Sequence, residues 1–188
     1  MTADYEETEI FDYVFKIILV GDLGVGKTTL LSRFTGDKFS FSSAVEDGMR
    51  FVQTNISVGD IIVQTRIWDV TGGEECHSLP GKYFEGAHGA LIVYDITKSE
   101  TFENVTEWLS EIHRCTNSEC VVLLTGNKCD LDENRTVLAR LAEQFARSVQ
   151  MSFIETSARH GDNVETAFKR LISECYERKR SNGIQIGD

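Results

Sequence analysis

The sequence has few of the features that mark secreted, membrane-spanning or nucleic-acid-binding proteins. It contains one proline, Pro80, and five cysteines, an odd number without a C-x-x-C pair, which favours a reduced intracellular chain over a disulfide framework or a zinc site. No signal peptide is visible, and no apolar run approaches the roughly 20 residues that a membrane span needs. Basic residues number 19 against 30 acidic ones, and the net charge of −11 argues against a broad nucleic-acid or anionic-lipid surface. We therefore expect a soluble, cytoplasmic protein without a nucleic-acid partner.

The rest of the composition is that of an ordinary globular chain, 41 % hydrophobic and 26 % charged, and its 188 residues suit one domain. Continuous apolar runs, as expected of parallel strands covered on both faces, alternate with stretches of helical spacing. Two alternating runs joined by Gly59 and Asp60 predict a β-hairpin. The pattern predicts a doubly wound α/β fold, with a six-stranded, mostly parallel sheet, one antiparallel edge strand and helices on both faces.

The predicted elements have approximate bounds. The apolar runs are 14–20, 90–94 and 120–124, the hairpin strands 49–58 and 61–68, the last strand 152–155, and the helices 101–115, 136–149 and 163–178, after a first helix that ends near Gly36. Residues 37–48 are predicted to be a loop. We expect a flexible acidic segment at 1–12, one domain at 13–179 and a short polar tail at 180–188.

The segment GDLGVGKTT fits the pattern G-x-x-x-x-G-K-[ST] and directly follows the first apolar run. Its glycines let the backbone turn tightly and point N–H groups inward at phosphate oxygens. Lys27 supplies a positive charge for the phosphates, and the Thr28 hydroxyl can coordinate Mg²⁺. The alternative, a glycine-rich turn that only links strand to helix, does not explain the lysine and threonine in register. The predicted nucleotide-binding residues here are Gly21, Leu23, Gly24, Val25, Gly26, Lys27, Thr28 and Thr29.

A second polar segment, WDVTG, follows the hairpin. In doubly wound sheets, ligands bind at the carboxyl ends of the strands, so the loops that follow different strands can contribute to the same site. Asp69 can hold a water bound to Mg²⁺, and the backbone N–H of Gly72 can meet a γ-phosphate. An Asp-x-x-Gly segment alone is usually just a turn. After a phosphate loop at this distance, it predicts a metal and phosphate contact.

The segment GNKCD, after the run 120–124, predicts a guanine site. The carboxylate of Asp130 can accept hydrogen bonds from both the N1–H and the 2-amino group of guanine, and adenine lacks this donor pair. Asn127 is predicted to tie neighbouring loops together, and the stem of Lys128 to cover one face of the base. The alternative is a polar loop with a helix cap.

Two further contacts are predicted around the base. In the segment ETSAR, a backbone N–H near Ala158 can meet guanine O6, and Ser157 and Arg159 flank it as nucleotide-binding residues. Phe39 can stack edge-on against the base, or else simply pack in the core.

These four motifs occur in the order and spacing of the Ras-superfamily small GTPases, and the match covers residues 13–176. The chain resembles Rab proteins most, through LIVYDITKSETFENVTEWLSEI and LLTGNKCDL. The resemblance implies the P-loop NTPase fold of small G proteins, binding of GTP and GDP with Mg²⁺, and GTP hydrolysis. It also implies a switch in vesicle trafficking or membrane signalling, with effectors and exchange factors contacting residues 40–51 and 68–84. Phe51, Trp68 and Tyr83 fall where Rab proteins display an aromatic triad to effectors.

Three positions depart from the family pattern, all around the γ-phosphate. Glu46 stands where the family has a threonine that closes over Mg²⁺; it is a candidate metal ligand, or else it faces solvent. Gly73 replaces the glutamine that orients the attacking water. Leu23 stands where many relatives have a small residue, and its bulk can crowd this water and an arginine finger supplied by a partner. Lys27, Gly72 and the degenerate position Gly73 are the predicted catalytic residues. We therefore predict slow hydrolysis.

Two other functions are open at this point. One is a non-hydrolysing scaffold or interaction module that holds GDP or GTP. The other, a P-loop ATPase or nucleoside kinase, is disfavoured by Asp130. Rab proteins usually end in a tail with prenylated cysteines, whereas the last cysteine here, Cys175, lies in a helical pattern. We expect peripheral membrane attachment, on membranes of the vesicle system, only if a lipidated tail follows.

Overall fold

A computed structural model of the chain describes residues 11–36, 43–46, 49–69, 81–117 and 119–184, with only the backbone described at 43–46, 49–50 and 184. Within these ranges the strands are β1 Tyr13–Val20, β2 Ser43–Glu46, β3 Met49–Val58, β4 Ile61–Asp69, β5 Gly89–Asp95, β6 Val121–Asn127 and β7 Ser152–Thr156. The helices are α1 Lys27–Thr35, α2 Ser99–Glu103, α3 Val105–Cys115, α4 Ala139–Ser148 and α5 Val164–Ile184, with short 3₁₀ helices at Gly81–Tyr83 and Cys129–Asn134.

The strands form one sheet in the order β2-β3-β4-β1-β5-β6-β7. The neighbours of β1 are both parallel to it, and β5, β6 and β7 continue the parallel part, whereas β3 runs antiparallel to β4. The predicted fold class and hairpin are confirmed, but the sheet has seven strands instead of the predicted six, and the antiparallel strand β3 is not at its edge. The sheet also has an additional short edge strand, β2, antiparallel to β3, within the segment predicted to be a loop. The serine and glycine residues around this segment favour a loop by sequence pattern. It forms a strand because its backbone pairs with that of β3.

The side chains of β1 show why helices cover both faces of the sheet. Successive side chains on a strand point to opposite faces. Ile17 and Leu19 pack in one cluster with apolar residues of α1 and α5, and Ile18 and Val20 pack in another with residues of α3 and α4. Every residue of β5 and of β6 is buried, as the continuous apolar runs predict for central strands.

The observed helices differ from the predicted ones by a break and an extension, besides shifts of one to three residues at other ends. Asn104 separates α2 from α3 within the predicted helix 101–115 while keeping helical dihedral angles (φ −73°, ψ −8°). The last helix, α5, continues past the predicted domain end at 179 to Ile184. Arg180 pairs with Glu177 at 2.8 Å, and Ser181 Oγ donates to the Glu177 carbonyl oxygen at 2.8 Å. These local polar contacts support the last turns of the helix, where the sequence offers no apolar face.

No helix in the described part of the chain is both long and apolar enough to cross a bilayer. The cysteines in the same ranges, Cys115, Cys120, Cys129 and Cys175, are free thiols.

Gly126, on β6, is expected to tolerate no side chain. A Cβ atom there would lie 2.6 Å from Tyr94 Oη and 2.8 Å from Tyr94 Cζ, and the Tyr94 ring is fully buried. We expect Gly126→Ala to lower the free energy of unfolding by about 1–3 kcal/mol, as overpacking of a core does. Urea titration measures this. Gly183→Ala is the matched control, because the position on α5 is open and should lose no stability.

His88 is expected to make stability depend on pH. Burial lowers the pKa of His88, the charges of Lys179 and Lys16 lower it further, and Glu119 opposes them. The folded state therefore binds this proton less readily than the unfolded chain, so stability is full above the ordinary histidine pKa and falls as the pH drops through it. The Nδ1 atom also accepts the Lys16 backbone N–H at 3.1 Å, a role that an asparagine oxygen can take over.

We therefore expect His88→Asn to lose less free energy of unfolding than the parent between about pH 7 and pH 5. Urea titrations across that range give the comparison. His113→Asn, at an exposed position, should retain the slope of the parent. Equal slopes for the parent and His88→Asn would contradict the assignment.

Candidate nucleotide-binding site

The predicted motifs meet at one edge of the sheet. Because β1, β4, β5, β6 and β7 are parallel, their carboxyl ends lie on the same edge, at the crevice where doubly wound sheets bind ligands. The phosphate loop follows β1, Asp69 ends β4, and Asn127 ends β6. The topology therefore brings together segments that are far apart in the sequence.

The loop between β1 and α1 has the backbone that phosphate binding needs. Gly21 and Gly26 have φ values of 135° and 100°, which favour glycine. A methyl group at Gly21 would overlap the Val93 carbonyl oxygen, and one at Gly26 would overlap the side-chain amide of Asn127. Gly26 directly precedes the first turn of α1, whose N-terminal N–H groups attract anions.

Lys27 lies beneath this loop and is 7 % exposed. Its Nζ atom donates to the carbonyl oxygens of Gly21 at 2.6 Å and Asp22 at 2.8 Å. Burial lowers the pKa of Lys27, and the charges of Asp69 and Asp22 oppose that shift. The ammonium group is thus held at the loop by backbone oxygens and balanced by two carboxylates.

Asp69 and Thr28 fit a divalent cation. Burial raises the pKa of Asp69, while a hydrogen bond from the Thr28 side chain and the charge of Lys27 oppose the rise. The Oδ1 atom of Asp69 is buried without a hydrogen-bond partner. Within the described ranges, no three His, Cys, Asp or Glu side chains gather as a set of metal ligands. Mg²⁺ is commonly held by one or two protein groups together with substrate phosphates, and a hydroxyl beside an orphaned carboxylate oxygen suits that arrangement.

Asn127 joins three loops, as predicted. It is 1 % exposed, and its Nδ2 atom donates to the Val25 carbonyl oxygen at 2.9 Å. Its Oδ1 atom accepts from Thr156 Oγ1 and from the Ala158 backbone N–H, each at 3.1 Å. These three hydrogen bonds tie one side chain to both the phosphate loop and the loop after β7, so the position of Asn127 sets the distance between them.

Lys128 extends across the mouth of the site. Its backbone is left-handed, with φ 69°, and its Nζ atom donates to the Gly24 carbonyl oxygen at 2.8 Å. The same atom pairs with Asp95 Oδ2 at 2.6 Å. Burial alone would raise the pKa of Asp95, but hydrogen bonds from Lys128 and Thr97 outweigh it and hold the pKa below its ordinary value. Asp95 and Thr97 thereby orient Lys128, the residue predicted to cover the base. No motif in the sequence indicates this supporting role of Asp95 and Thr97.

Asp130 and Ser157 face each other across the crevice. Ser157 Oγ donates to Asp130 Oδ1 at 2.6 Å and accepts the His160 backbone N–H at 3.0 Å. Arg33, on α1, fastens the same loop, since its Nε atom donates to the Ala158 carbonyl oxygen at 3.0 Å and its other nitrogen to the Arg159 carbonyl oxygen. Arg33 is a supporting residue that the motifs do not reveal, because it acts across 125 positions of sequence.

A cavity of about 180 Å³ opens between these loops. It is lined by Gly26, Thr29, Asn127, Lys128, Asp130, Leu131, Ala158 and Arg159. All of these except Leu131 are predicted nucleotide-binding residues, and Leu131 follows the motif directly. The volume is below the roughly 300–1,000 Å³ of complete ligand pockets, so this cavity is only part of the predicted site.

A larger open groove of about 640 Å³ lies elsewhere, between residues that precede β6 and β7 and the last turns of α5. Cys120, Gln150 and Ser181 are among its lining residues. It belongs to the amino ends of the strands, opposite the edge where such sheets bind ligands. We therefore place the candidate site at the smaller cavity.

Some predicted residues lie outside the described part of the chain. These are Phe39, Gly72 and Gly73, together with the side chain of Glu46, so their predicted contacts remain predictions. Leu23 is described, and its side chain is 73 % exposed at the phosphate loop.

The predicted display of the aromatic triad is wrong for two of its members. Phe51 and Trp68 are only 7 % and 5 % exposed. They are opposite each other in the β3–β4 register, with ring centroids 4.7 Å apart, and Arg66 and Lys16 lie over their outer faces. Cross-strand pairing thus packs these rings against each other. Tyr83 is half-buried.

Comparison with known proteins agrees with this geometry. The sequence profile of the Ras family matches residues 16–177. The chain is 42 % identical to the Ras-related protein RABA1f of Arabidopsis thaliana over 186 residues, which cover 99 % of this chain and 86 % of that protein. It is 42 % identical to the Ras-related protein Rab11B of Nicotiana tabacum over 188 residues, covering 100 % and 87 %. The Ras-related protein YPTC6 of Chlamydomonas reinhardtii is 46 % identical over 166 residues, covering 88 % and 77 %.

Proposed function

Because the chain belongs to the Ras family and is similar to Rab-named proteins along nearly its whole length, we propose that it is a Rab-like guanine-nucleotide switch with slow GTP hydrolysis. Proteins of this family bind guanine nucleotides with Mg²⁺, hydrolyse GTP, and act through effectors and exchange factors. The observation that carries the proposal is the Asp130 carboxylate, oriented by Ser157 beside a cavity that reaches the phosphate loop.

At the base, Asp130 would accept the N1–H and 2-amino protons of guanine. Its Oδ1 atom already holds the Ser157 hydroxyl, so the carboxylate is fixed before the base enters. The stem of Lys128 would cover one face of the ring, since its ammonium group is held by Asp95 and Gly24. A site built around such donor and acceptor pairs rejects analogues that leave a buried polar group unpaired.

At the phosphates, Lys27 and the loop N–H groups would hold the β- and γ-phosphoryl oxygens. Lys27 Nζ now donates to two loop carbonyl oxygens, and phosphate oxygens would add to or replace these partners. Mg²⁺, held beside Thr28 and Asp69, would neutralise part of the phosphate charge. Hydrolysis requires a water to attack the γ-phosphorus in line while the bond to the β–γ bridging oxygen breaks, giving GDP and phosphate.

The slow rate is proposed from the residues that would surround this water. Gly73 has no side chain to orient it, and loss of one such donor typically costs roughly 10²–10³ in rate. Leu23 is exposed at the phosphate loop and would crowd an arginine supplied by a partner. Such an arginine raises the rate of GTP hydrolysis roughly 10³–10⁵-fold in Ras-type GTPases. The same two residues support the second candidate, a scaffold that binds nucleotide and never hydrolyses it.

The remaining proposals concern the setting of the switch. We place the nucleotide-binding domain at residues 13–179 and its partner surface at 40–51 and 68–84, where the half-buried Tyr83 is more accessible than Phe51 and Trp68. A role in vesicle trafficking follows from the similarity to Rab-named proteins. Attachment to membranes would require a lipidated tail.

The test has two measurements on the purified full chain. Chromatography of the nucleotide released by heat denaturation should give GDP or GTP, and preferential retention of ATP would contradict the guanine site. Single-turnover hydrolysis of radiolabelled GTP with Mg²⁺ should be slow. A rate equal to that of ordinary Rab proteins would refute the slow-hydrolysis proposal, and no phosphate release at all would favour the scaffold.

A further inference from the structure

Asp22 is a carboxylate inside the phosphate loop, where a negative charge opposes the binding of phosphates. The loop otherwise gathers backbone N–H groups and the ammonium group of Lys27, which attract anions. The backbone carbonyl oxygen of Asp22 accepts from Lys27 Nζ at 2.8 Å, so this residue belongs to the loop itself. A side chain free to turn toward the phosphates would repel them with a full unit of charge.

The structure holds this carboxylate against a helix. Its Oδ2 atom accepts from Asn104 Nδ2 at 2.8 Å, and its Oδ1 atom accepts from Trp108 Nε1 at 2.9 Å. We call these two hydrogen bonds the Asp22 clamp. Each carboxylate oxygen thus has a donor from the α2–α3 region, and hydrogen bonds to a charged acceptor are stronger than neutral ones.

Both donors of the Asp22 clamp are fixed in place. The Asn104 carbonyl oxygen accepts the Trp108 backbone N–H at 3.2 Å, so the two residues stand one turn apart on the same side of the helix. Trp108 is 3 % exposed and packs in the apolar cluster that includes Val20 and Ile112. The indole N–H is a donor only, so it suits an acceptor and nothing else.

We propose that Asn104 and Trp108 are positioning residues of the nucleotide site, which keep the Asp22 charge away from the phosphates. The inference rests on the proposed binding of a nucleotide at this loop. It explains why an acidic residue is compatible with a phosphate loop, and it makes α3 part of the machinery that sets nucleotide affinity. The Asp22 clamp also leaves the Asp22 carbonyl oxygen directed at Lys27.

The test is release of a fluorescent GDP analogue from the Mg²⁺-loaded full chain, measured by stopped flow. We expect Trp108→Phe, which removes the indole donor and keeps an aromatic ring, to release the analogue about tenfold faster, equivalent to about 1.4 kcal/mol. Asn104→Ser, at a half-buried position, should accelerate release about threefold without disturbing the core.

The decisive variant is the double substitution Asp22→Asn with Trp108→Phe. Removing the charge should restore release to within about threefold of the parent. A purely structural role for Trp108 predicts no rescue, because the packing defect remains. Ile112→Val, on the same buried face of α3, is the matched control for lost packing and should release the analogue at the parental rate.

The outcomes separate this inference from the function on which it rests. Parental release rates in both Trp108→Phe and Asn104→Ser would overturn the positioning role. Faster release without rescue by Asp22→Asn would overturn the electrostatic account. A parent chain that retains no GDP analogue would overturn the proposed function, and this inference with it.

Discussion

Asp130→Asn is expected to weaken GDP binding by about 10²–10³, the largest effect of any single substitution at the base. The asparagine keeps the oxygen that accepts from Ser157, but it replaces the second carboxylate oxygen by an NH₂ group. That group would face the 2-amino group or the N1–H of guanine, donor against donor. Calorimetry with GDP and Mg²⁺ measures the loss.

The same substitution also predicts a change of specificity. Xanthosine diphosphate has a carbonyl oxygen in place of the 2-amino group, and this oxygen can accept from the new NH₂ group. Asp130→Asn should therefore bind xanthosine diphosphate more tightly than GDP. Asp132→Asn, on the same 3₁₀ helix with an exposed side chain, is the matched control and should bind GDP as the parent does. Unchanged GDP affinity in Asp130→Asn would remove the guanine assignment.

Gly73→Gln is expected to raise the single-turnover rate of GTP hydrolysis by about 10²–10³, because a side-chain amide can orient the attacking water. The prediction rests on the sequence, since Gly73 lies outside the described residues. The affinity for GDP should stay close to the parental value. Gly183→Gln, at an open position on α5, controls for the added glutamine and should leave the rate unchanged.

The result decides between the two candidate functions. A strong increase identifies the parent as an impaired hydrolase, whose other parts are intact. No increase favours the non-hydrolysing scaffold. Adding Leu23→Ser to Gly73→Gln should then raise the rate of GTP hydrolysis further only when a partner supplies an arginine, because Leu23 is proposed to crowd that arginine.

The predicted partner surface differs from the structure in the exposure of two aromatic side chains. The aromatic character of Phe51 and Trp68 agrees with a display surface, yet both side chains are buried. Their exposure depends on the β3–β4 register and on the positions of Lys16 and Arg66. Each of these is a contact between residues on different strands. A pattern read along one strand contains no information about which residues face it from the next strand.

The sequence by itself determined the fold class and singled out the two segments, GDLGVGKTT and GNKCD, to which we assign phosphate and guanine. These depend on local rules: apolar periodicity sets strands and helices, glycines permit the loop, and the order of motifs places each at a strand end. The bounds of the hairpin and of most strands follow within a few residues for the same reason.

Only the tertiary structure decided how those motifs are supported. Arg33 fastens a loop 125 positions away, Asp95 orients Lys128, and Asn104 with Trp108 holds Asp22. Each is an interaction between elements that meet only after the sheet has formed. Such pairs leave no periodic or local signal, because their spacing in the sequence is set by the length of the intervening elements and not by the chemistry of the contact.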